Sequence, residues 1–222
     1  MSYKLEKINA AKAALEFVKN GMVIGLGSGS TAKEFIELLA ERIKSERLDI
    51  IGVPTSFDTR IFAHEQGIRI AEPDEVEGID LAVDGADVAT KTALLKGGGG
   101  ALTREKVIAY TAKKFIVIVD ETKLKTQLQG NVVVEVVPFA HKIVMNSLKS
   151  FSKKIDYRAA DEKLGPIITD NGNFLLDVEM LVSDPKKTET ELNTIPGVVE
   201  NGIFTKFDRI IVGTRDGSRL LK

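Results

Sequence analysis

The sequence predicts an α/β protein whose larger part is a parallel β-sheet covered by helices on both faces. Short, continuously apolar runs alternate with stretches of helical periodicity from residue 5 to residue 119, and this pattern is typical of buried parallel strands. Polar motifs follow these runs directly, and ligands of such sheets bind at the carboxyl ends of the strands. From residue 129 onward the order changes to β-α-β-β-α-β, which indicates a second module of the split βαβ type.

Each element of the larger part follows from a local pattern. Apolar residues at near-helical spacing predict a first helix over 5–19, which Asn20 and Gly21 end. The apolar positions of this helix are Leu5, Ile8, Ala11, Leu15 and Val18. The further predicted helices are 31–45, 56–66 and 103–112, and the predicted strands are 22–26, 49–53, 68–71, 81–83 and 115–119.

The second module has its own strands and helices. A hairpin is predicted around the turn residues Asp170, Asn171 and Gly172. The predicted strands of the module are 132–136, 167–169, 174–178 and 198–202, and its predicted helices are 140–151 and 184–193. A last apolar run, 207–213, is expected to return to the first sheet.

Composition excludes several functional classes. The 222 residues include 31 basic and 32 acidic side chains, so the net charge of −1 predicts neither a nucleic acid nor a membrane partner. No cysteine is present, which excludes disulfides and thiol catalysis. Two histidines, His64 and His141, argue against a zinc site or a Ser-His-Asp triad. The charged, amphipathic N-terminus and the lack of a long apolar stretch predict a cytoplasmic protein.

The most informative motif is the run of four glycines, residues 97–100, that precedes the predicted helix 103–112. Glycine lets a ligand approach the backbone closely. Lys96 stands before the run and Glu105 after it, so a cation, several backbone N–H donors and a possible base lie within ten residues. This combination suits an anionic substrate that must lose a proton. The alternative is structural: Glu105 favours the helix dipole, and Lys96 is a surface lysine.

A second glycine-rich segment, 25–31, joins a predicted strand to a predicted helix. The N–H groups of a helix N-terminus can hold phosphate, and the hydroxyls of Ser28, Ser30 and Thr31 add donors. The segment does not fit a dinucleotide fingerprint, because Ser30 occupies the place of the third glycine, and it lacks the Gly-Lys-Ser/Thr of a Walker loop. A plain strand-to-helix turn with Ser30 as N-cap is the alternative.

Two aspartates and a lysine follow other predicted strands. Asp84 and Asp87 stand three residues apart and can converge on one pocket, where close carboxylates assist proton transfer. An ordinary Asx turn is the alternative for Asp84. Lys123 can pair with a phosphate as a point charge, or it is a solvated loop lysine. Lys7, on the first helix, is a weaker phosphate candidate.

Together these motifs resemble the ribose-5-phosphate isomerase A family. They occur in the family's order over nearly the whole chain, and the glycine run with its Thr-Arg-Glu-Lys continuation is highly specific. The matching segments are 27–31 (GSGST), 83–87 (VDGAD), 96–106 (KGGGGALTREK), 169–173 (TDNGN) and 195–198 (IPGV). Residues 88–90 (VAT) depart from the family pattern, in which many relatives carry two acids.

The resemblance implies a fold, an assembly and an activity. It implies a Rossmann-like catalytic domain over 1–129 and 206–222 and a smaller α+β, ferredoxin-like lid domain over 130–205. It also implies a homodimer or homotetramer without cofactor or metal. The implied reaction interconverts D-ribose 5-phosphate and D-ribulose 5-phosphate in the non-oxidative pentose phosphate pathway, so the partner is a small sugar phosphate.

The resemblance also assigns roles to residues. Glu105 corresponds to the family's catalytic base, and Asp84, Asp87 and Lys96 correspond to its other catalytic positions. The substrate-binding positions are Ser28, Gly29, Ser30, Thr31, Asp84, Gly85, Ala86, Asp87, Lys96, Gly97, Gly98, Gly99 and Lys123.

The hypothesis is therefore proton transfer through an enediolate, with Asp84 or Asp87 moving protons among the sugar oxygens. A non-catalytic sugar-phosphate sensor on the same fold is the alternative. A dehydrogenase is disfavoured, because residues 25–31 do not fit a dinucleotide fingerprint.

Overall fold

The computed structural model describes residues 3–160 and 163–221. Three one-turn 3₁₀ helices cover Pro73–Glu75, Glu121–Lys123 and Pro138–Ala140. The α-helices in this part of the chain are α1 Lys4–Leu15, α2 Ser30–Glu46, α3 Phe57–Glu65, α4 Leu102–Thr111, α5 His141–Leu148 and α6 Pro185–Asn193.

The strands range from two to nine residues in length. In chain order they are β1 Val23–Leu26, β2 Ile51–Pro54, β3 Arg69–Ile70, β4 Leu81–Asp84, β5 Val88–Ala89, β6 Leu94–Leu95, β7 Phe115–Asp120, β8 Leu128–Val136, β9 Ile155–Tyr157, β10 Ala159–Ala160, β11 Lys163–Pro166, β12 Phe174–Val182, β13 Val198–Asn201, β14 Ile203–Phe204, β15 Arg209–Thr214 and β16 Gly217–Leu220.

The described residues form two compact units. The first unit contains the chain through Ala86, the segment Arg104–Leu124 and the chain from Lys206 onward. The second unit contains Asp87–Thr103 and the described part of Lys125–Thr205. These units differ from the predicted domains at 125–129 and, more extensively, at the segment 87–103; both were expected in the sheet domain. The segment 87–103 joins the second unit because its strands β5 and β6 pair with each other and β6 pairs with β14.

The first unit is built on a seven-stranded sheet with the order β16-β15-β7-β4-β1-β2-β3. All neighbours in it are parallel except β15 and β16, which are antiparallel. The predicted parallel sheet is therefore confirmed, including the return of the last apolar run beside β7. The edge strand β16 was not predicted, because its sequence, GSRL, has no continuous apolar run.

The first helix differs from its prediction. It ends at Leu15, four residues early, and its fully buried side chains are Ala10, Ala11 and Ala14. Leu5, expected in the apolar face, is half exposed. Small alanines let the helix backbone lie close against the neighbouring elements, so the buried face follows residue size as well as hydrophobicity. The core of this unit is completed by apolar side chains of α2 and the central strands.

The second unit contains an antiparallel sheet with the order β13-β8-β12-β9. With helices α5 and α6 between its strands, this arrangement confirms the split βαβ module. One strand was assigned wrongly. The second strand is β9, whereas at 167–169 only Ile168 makes an isolated bridge, to Phe174. The reason is local, because the Thr169 carbonyl closes the turn by accepting the N–H of Gly172 while the Thr169 N–H donates to the Asn173 carbonyl.

Candidate active site

The polar motifs of the first unit lie at the carboxyl ends of its parallel strands. Ser28 follows β1, Thr55 follows β2, Asp84 ends β4, and Lys123 lies in the 3₁₀ turn after β7. Since β1, β2, β4 and β7 are parallel and contiguous in the sheet, these residues share one edge of it. This is the edge at which α/β sheets bind ligands.

Asp84 anchors the loop that follows β1. Its side chain is 3% exposed, and its Oδ1 accepts the N–H of Ser28 at 3.1 Å and that of Gly85 at 2.7 Å. Gly27 permits this contact, because a Cβ there would lie 2.2 Å from the Asp84 Cγ. The carboxylate therefore bonds a local amide, that of Gly85, and an amide of the neighbouring loop, while it is buried at a strand end.

Glu105 is brought to the same place as Asp84. It lies in the first turn of α4 and is 5% exposed. Both carboxylates line one narrow cavity within the first unit, too small to admit a water molecule, together with Gly25 and Gly27 of β1 and its following loop. Two buried carboxyl groups that line one cavity can divide the roles of proton acceptor and proton donor.

The polar groups of Ser28 make hydrogen bonds within the protein, and its predicted contact with the substrate stays a prediction. Its hydroxyl donates to Ser56 Oγ at 2.7 Å and lies within hydrogen-bonding distance of Thr55 Oγ1 and Thr59 Oγ1. Thr59 Oγ1 donates to the Gly27 carbonyl oxygen at 3.0 Å. Since the hydroxyl and the N–H of Ser28 both bond within the protein, this residue shapes the loop. The sequence did not predict the supporting hydroxyls of Thr55, Ser56 and Thr59. Thr55 and Ser56 directly follow β2, which was the available signal for two of them.

The rest of the loop after β1 presents polar groups at the start of α2. Gly29 is its N-cap residue, with φ at +96°, and Ser30 and Thr31 open the helix. Ser30 Oγ accepts a hydrogen bond from Lys7 Nζ at 2.9 Å, so the weaker candidate Lys7 lies beside the predicted phosphate loop. The half-buried Lys123 lies in the 3₁₀ turn after β7.

The second unit holds the glycine loop, Gly97–Gly100. Asp87 Oδ2 accepts the Gly98 N–H at 2.8 Å, so this aspartate is tied to the loop. Lys96 is only 3% exposed, and its Nζ lies 5.5 Å from the centre of the Phe204 ring, in the range of a cation–π contact. Lys96 is therefore not the surface lysine that the structural alternative predicts.

The structure shows two charged groups that were not predicted from the sequence, and the first of them supports this loop. Arg158 Nη1 donates to the carbonyl oxygens of Gly97, at 2.5 Å, and Gly98, at 3.2 Å. Its Nε donates to Asp177 Oδ2 at 3.0 Å, and its Nη2 pairs with Asp177 Oδ1. No motif pointed to this pair, because Arg158 and Asp177 are separated from the glycines by more than 50 residues.

The second missed group is Glu135, a fully buried carboxylate on β8. Its Oε2 accepts from the hydroxyl of Thr103, in the first turn of α4. Its Oε1 accepts from Thr169 Oγ1 at 2.8 Å, Asn171 Nδ2 at 3.1 Å and Asn173 Nδ2 at 2.8 Å. An acid within the apolar run VVVEV was the available signal, since buried acids require partners.

Metal-binding clusters and membrane-spanning helices are both absent from the described residues. No group of three or more His, Cys, Asp or Glu side chains there is placed to hold a metal ion. No helix over 3–160 and 163–221 is long and apolar enough to cross a membrane.

Known proteins similar to this chain are ribose-5-phosphate isomerases. Residues 51–217 match the family model described as ribose 5-phosphate isomerase A (phosphoriboisomerase A). The ribose-5-phosphate isomerase A of Methanococcus aeolicus is 50% identical over 97% of this chain and 94% of its own length. The structure of ribose 5-phosphate isomerase A from Methanocaldococcus jannaschii superposes with a TM-score of 0.96, at 46% identity and full coverage of both chains. A D-ribose-5-phosphate isomerase in complex with phospho-erythronic acid also gives 0.96, at 48% identity with full coverage.

Proposed function

The chain belongs to the ribose 5-phosphate isomerase A family and is an aldose–ketose isomerase, and from this premise we propose that Glu105 is its catalytic base. The reaction interconverts D-ribose 5-phosphate and D-ribulose 5-phosphate. The observation that carries the proposal is the burial of Glu105 beside Asp84, where both line one cavity at the carboxyl edge of the parallel sheet. A buried carboxylate positioned at a substrate carbon can act as a general base.

The proposed step is a proton transfer between neighbouring carbons. The Glu105 carboxylate takes the proton from C2 of the open-chain aldose. The electron pair of that bond forms the C1–C2 double bond of an enediolate, and the π pair of the C1=O bond moves to O1. The O2 proton is transferred to O1, the O2 pair then forms the C2=O bond, and C1 takes the proton back from Glu105. Asp84 or Asp87 would carry the O2 proton and assist ring opening. Atoms and charge balance without an oxidant, a reductant or a nucleotide.

Charge that develops on the sugar oxygens needs donors already in place. We assign this role to the Lys96 ammonium and to the backbone N–H groups of Gly97 and Gly99, since the Gly98 N–H donates to Asp87. Burial of Lys96 supports the assignment, because an ammonium group in a water-poor site acts more strongly on a nearby oxyanion. The tie between Asp87 and the Gly98 N–H places this aspartate at the same loop.

The phosphate and the remote hydroxyls would bind at the sheet edge of the first unit. We assign them to Gly29, Ser30 and Thr31 at the start of α2, to the backbone of Gly85 and Ala86, and to Lys123. Helix N-termini favour phosphate, and the neighbouring Lys7 adds positive charge. Ser28 holds this loop in shape, because its own donors are used within the protein.

The proposal extends to the roles of the two units, the cellular location, the pathway and the oligomeric state. The first unit would be the Rossmann-like catalytic domain and the second the ferredoxin-like lid. The chain would work in the cytoplasm, in the non-oxidative pentose phosphate pathway, as a homodimer or homotetramer, and without a cofactor. The sensor alternative has no support from the similar proteins, which are named as isomerases.

A direct assay tests the proposed base. The purified chain is incubated with D-ribose 5-phosphate without added metal or nucleotide, and ketose formation is followed over time. The wild type should form ketose, and Glu105→Gln should lose turnover while it still binds the sugar phosphate. Turnover by Glu105→Gln near the wild-type rate would overturn the assignment of the base.

A further inference from the structure

We propose that Arg158, held by Asp177, is a positioning residue that orients the peptide groups of the glycine loop toward the reacting sugar. The inference rests on the proposed function, which places the developing oxyanion at this loop. It assigns Arg158 no contact with the substrate.

Arg158 and Asp87 bind opposite sides of the Gly97–Gly98 peptide group. The Gly97 carbonyl oxygen accepts from Arg158 Nη1, and the Gly98 N–H donates to Asp87 Oδ2. In a trans peptide the carbonyl and the next N–H point in opposite directions, and the described part of the chain has no cis peptide. This peptide plane is therefore held at both ends, by a cation at its oxygen and by a carboxylate at its nitrogen.

The next peptide group along the loop, between Gly98 and Gly99, is held at its carbonyl oxygen. Arg158 Nη1 also binds the Gly98 carbonyl oxygen, at 3.2 Å. By the same trans geometry, the Gly99 N–H points away from the guanidinium. Gly97 has φ at +106°, and glycine adopts many other conformations at little cost. Within the loop, the Gly100 N–H donates to the Gly97 carbonyl oxygen at 3.0 Å. This single turn bond leaves the Gly98 carbonyl oxygen to Arg158, so the arginine side chain adds order that the glycine turn does not supply by itself.

The planar, forked guanidinium makes arginine the residue required at position 158. Its planar group binds both oxygens of Asp177 through Nε and Nη2, which leaves Nη1 for the two carbonyl oxygens. Lysine cannot supply this fork, because its ammonium is a single point. The side chains of Arg158 and Asp177 are 15% and 19% exposed, so water competes weakly for the same donors.

Positioning of this kind acts on turnover more than on substrate affinity. Donors that stabilise developing charge act mainly in the transition state, and a displacement of about 1 Å can cost about 10²-fold in rate. Arg158→Met should therefore lower kcat by roughly 10- to 10²-fold, with a KM within a few-fold of wild type. Arg158→Lys and Asp177→Asn should lie between Arg158→Met and wild type.

A matched control exists on the neighbouring strands. Lys154, just before β9, forms an exposed ion pair with Glu179 on β12, two residues after Asp177. Lys154→Met removes a cation from the same sheet without touching the glycine loop. It should leave kcat unchanged.

A second readout does not depend on activity. Hydrogen–deuterium exchange is measured by mass spectrometry in the peptide that carries residues 96–101, for the wild type, Arg158→Met and Lys154→Met. Loss of Arg158 should speed exchange there, because the Gly97 and Gly98 carbonyl oxygens lose the hydrogen bonds from the guanidinium, whereas the control should exchange like the wild type. Thermal unfolding checks that each variant is folded, and Arg158→Lys and Asp177→Asn replace Arg158→Met if that variant fails to fold.

The outcomes separate the two proposals. A wild-type chain that makes no ketose would overturn the proposed function, and the exchange data would still decide whether Arg158 orders the loop. A folded Arg158→Met with wild-type kcat and wild-type loop exchange would overturn the positioning role. A lower unfolding temperature with unchanged exchange and kcat would also overturn it, because that result fits a purely structural ion pair.

Discussion

Two buried glutamates, one in each unit, differ in what surrounds them. Glu135 lies on a strand of the second unit, where four side chains with neutral donors enclose its carboxylate. Glu105 lies at the start of a helix and lines a cavity with a second carboxylate, Asp84. Burial alone therefore does not mark a functional acid. An acid enclosed by neutral hydrogen-bond donors stabilises the fold, whereas an acid that lines the same narrow cavity as another carboxylate is suited to move protons.

Replacing Glu105 by glutamine should separate the two glutamates most clearly. The amide keeps the size of the side chain but cannot accept a proton from carbon, so kcat should fall by about 10²–10⁴-fold. Steady-state kinetics measure the loss, and chemical unfolding checks that stability is nearly unchanged. A large fall in stability with little change in kcat would mean that Glu105, like Glu135, serves the fold.

Replacing Glu135 by glutamine should have the opposite profile. One oxygen becomes an NH₂ group that faces donors such as Thr103 or Asn173, so the free energy of unfolding should fall by about 1–3 kcal/mol. Urea unfolding measures the change. Glu179→Gln, an exposed acid on β12, is the matched control and should change stability little. Equal stability of Glu135→Gln and wild type would show that the donor cluster contributes nothing.

Replacing Lys123 by alanine tests whether the sheet edge binds the phosphate. A point charge that binds substrate and transition state alike affects mainly KM, so KM should rise roughly 10-fold, equivalent to about 1.4 kcal/mol, with kcat nearly unchanged. Initial rates over a range of ribose 5-phosphate concentrations measure both. A large drop in kcat at unchanged KM would contradict the binding role.

The smallest expected effect comes from the aspartates at the two ends of β4. Asp84 lies at the carboxyl end, whereas Asp80 precedes the strand and binds Lys113 Nζ at 2.7 Å and the Val23 N–H at 2.9 Å. The hydrogen bond from Lys113, followed by that from Val23, holds the pKa of Asp80 below its ordinary value of 3.8. Since the pKa is lower in the folded state, the stabilisation is present above pH 3.8 and is lost as the pH falls through the folded-state pKa.

Asp80→Asn should therefore melt slightly below the wild type at neutral pH, and the difference should shrink in strong acid. Thermal unfolding at neutral pH and at about pH 2 measures this, and turnover at neutral pH should be unaffected. A gap that widens toward acid pH would reverse the assigned sign.

The sequence predicted the parallel sheet, the split βαβ module and the placement of Ser30, Asp84 and Lys123 at strand ends, because local patterns encode these features. It missed Arg158, Asp177 and Glu135, whose partners lie far away in sequence and are brought close by antiparallel pairing of β12 with β8 and β9. The buried face of α1 was also mispredicted, because small side chains are selected there by close packing. Long-range pairing and close packing leave weak local signals, so the support of the glycine loop became visible only in the structure.

The most direct measurement is a crystal structure of this chain with phospho-erythronic acid, the ligand of a similar isomerase. We predict that a Glu105 carboxylate oxygen will lie about 3–3.5 Å from the atoms that correspond to C1 and C2 of the sugar, as required for direct proton transfer. A Glu105 side chain turned away from these carbons, with another residue in its place, would contradict the proposed mechanism.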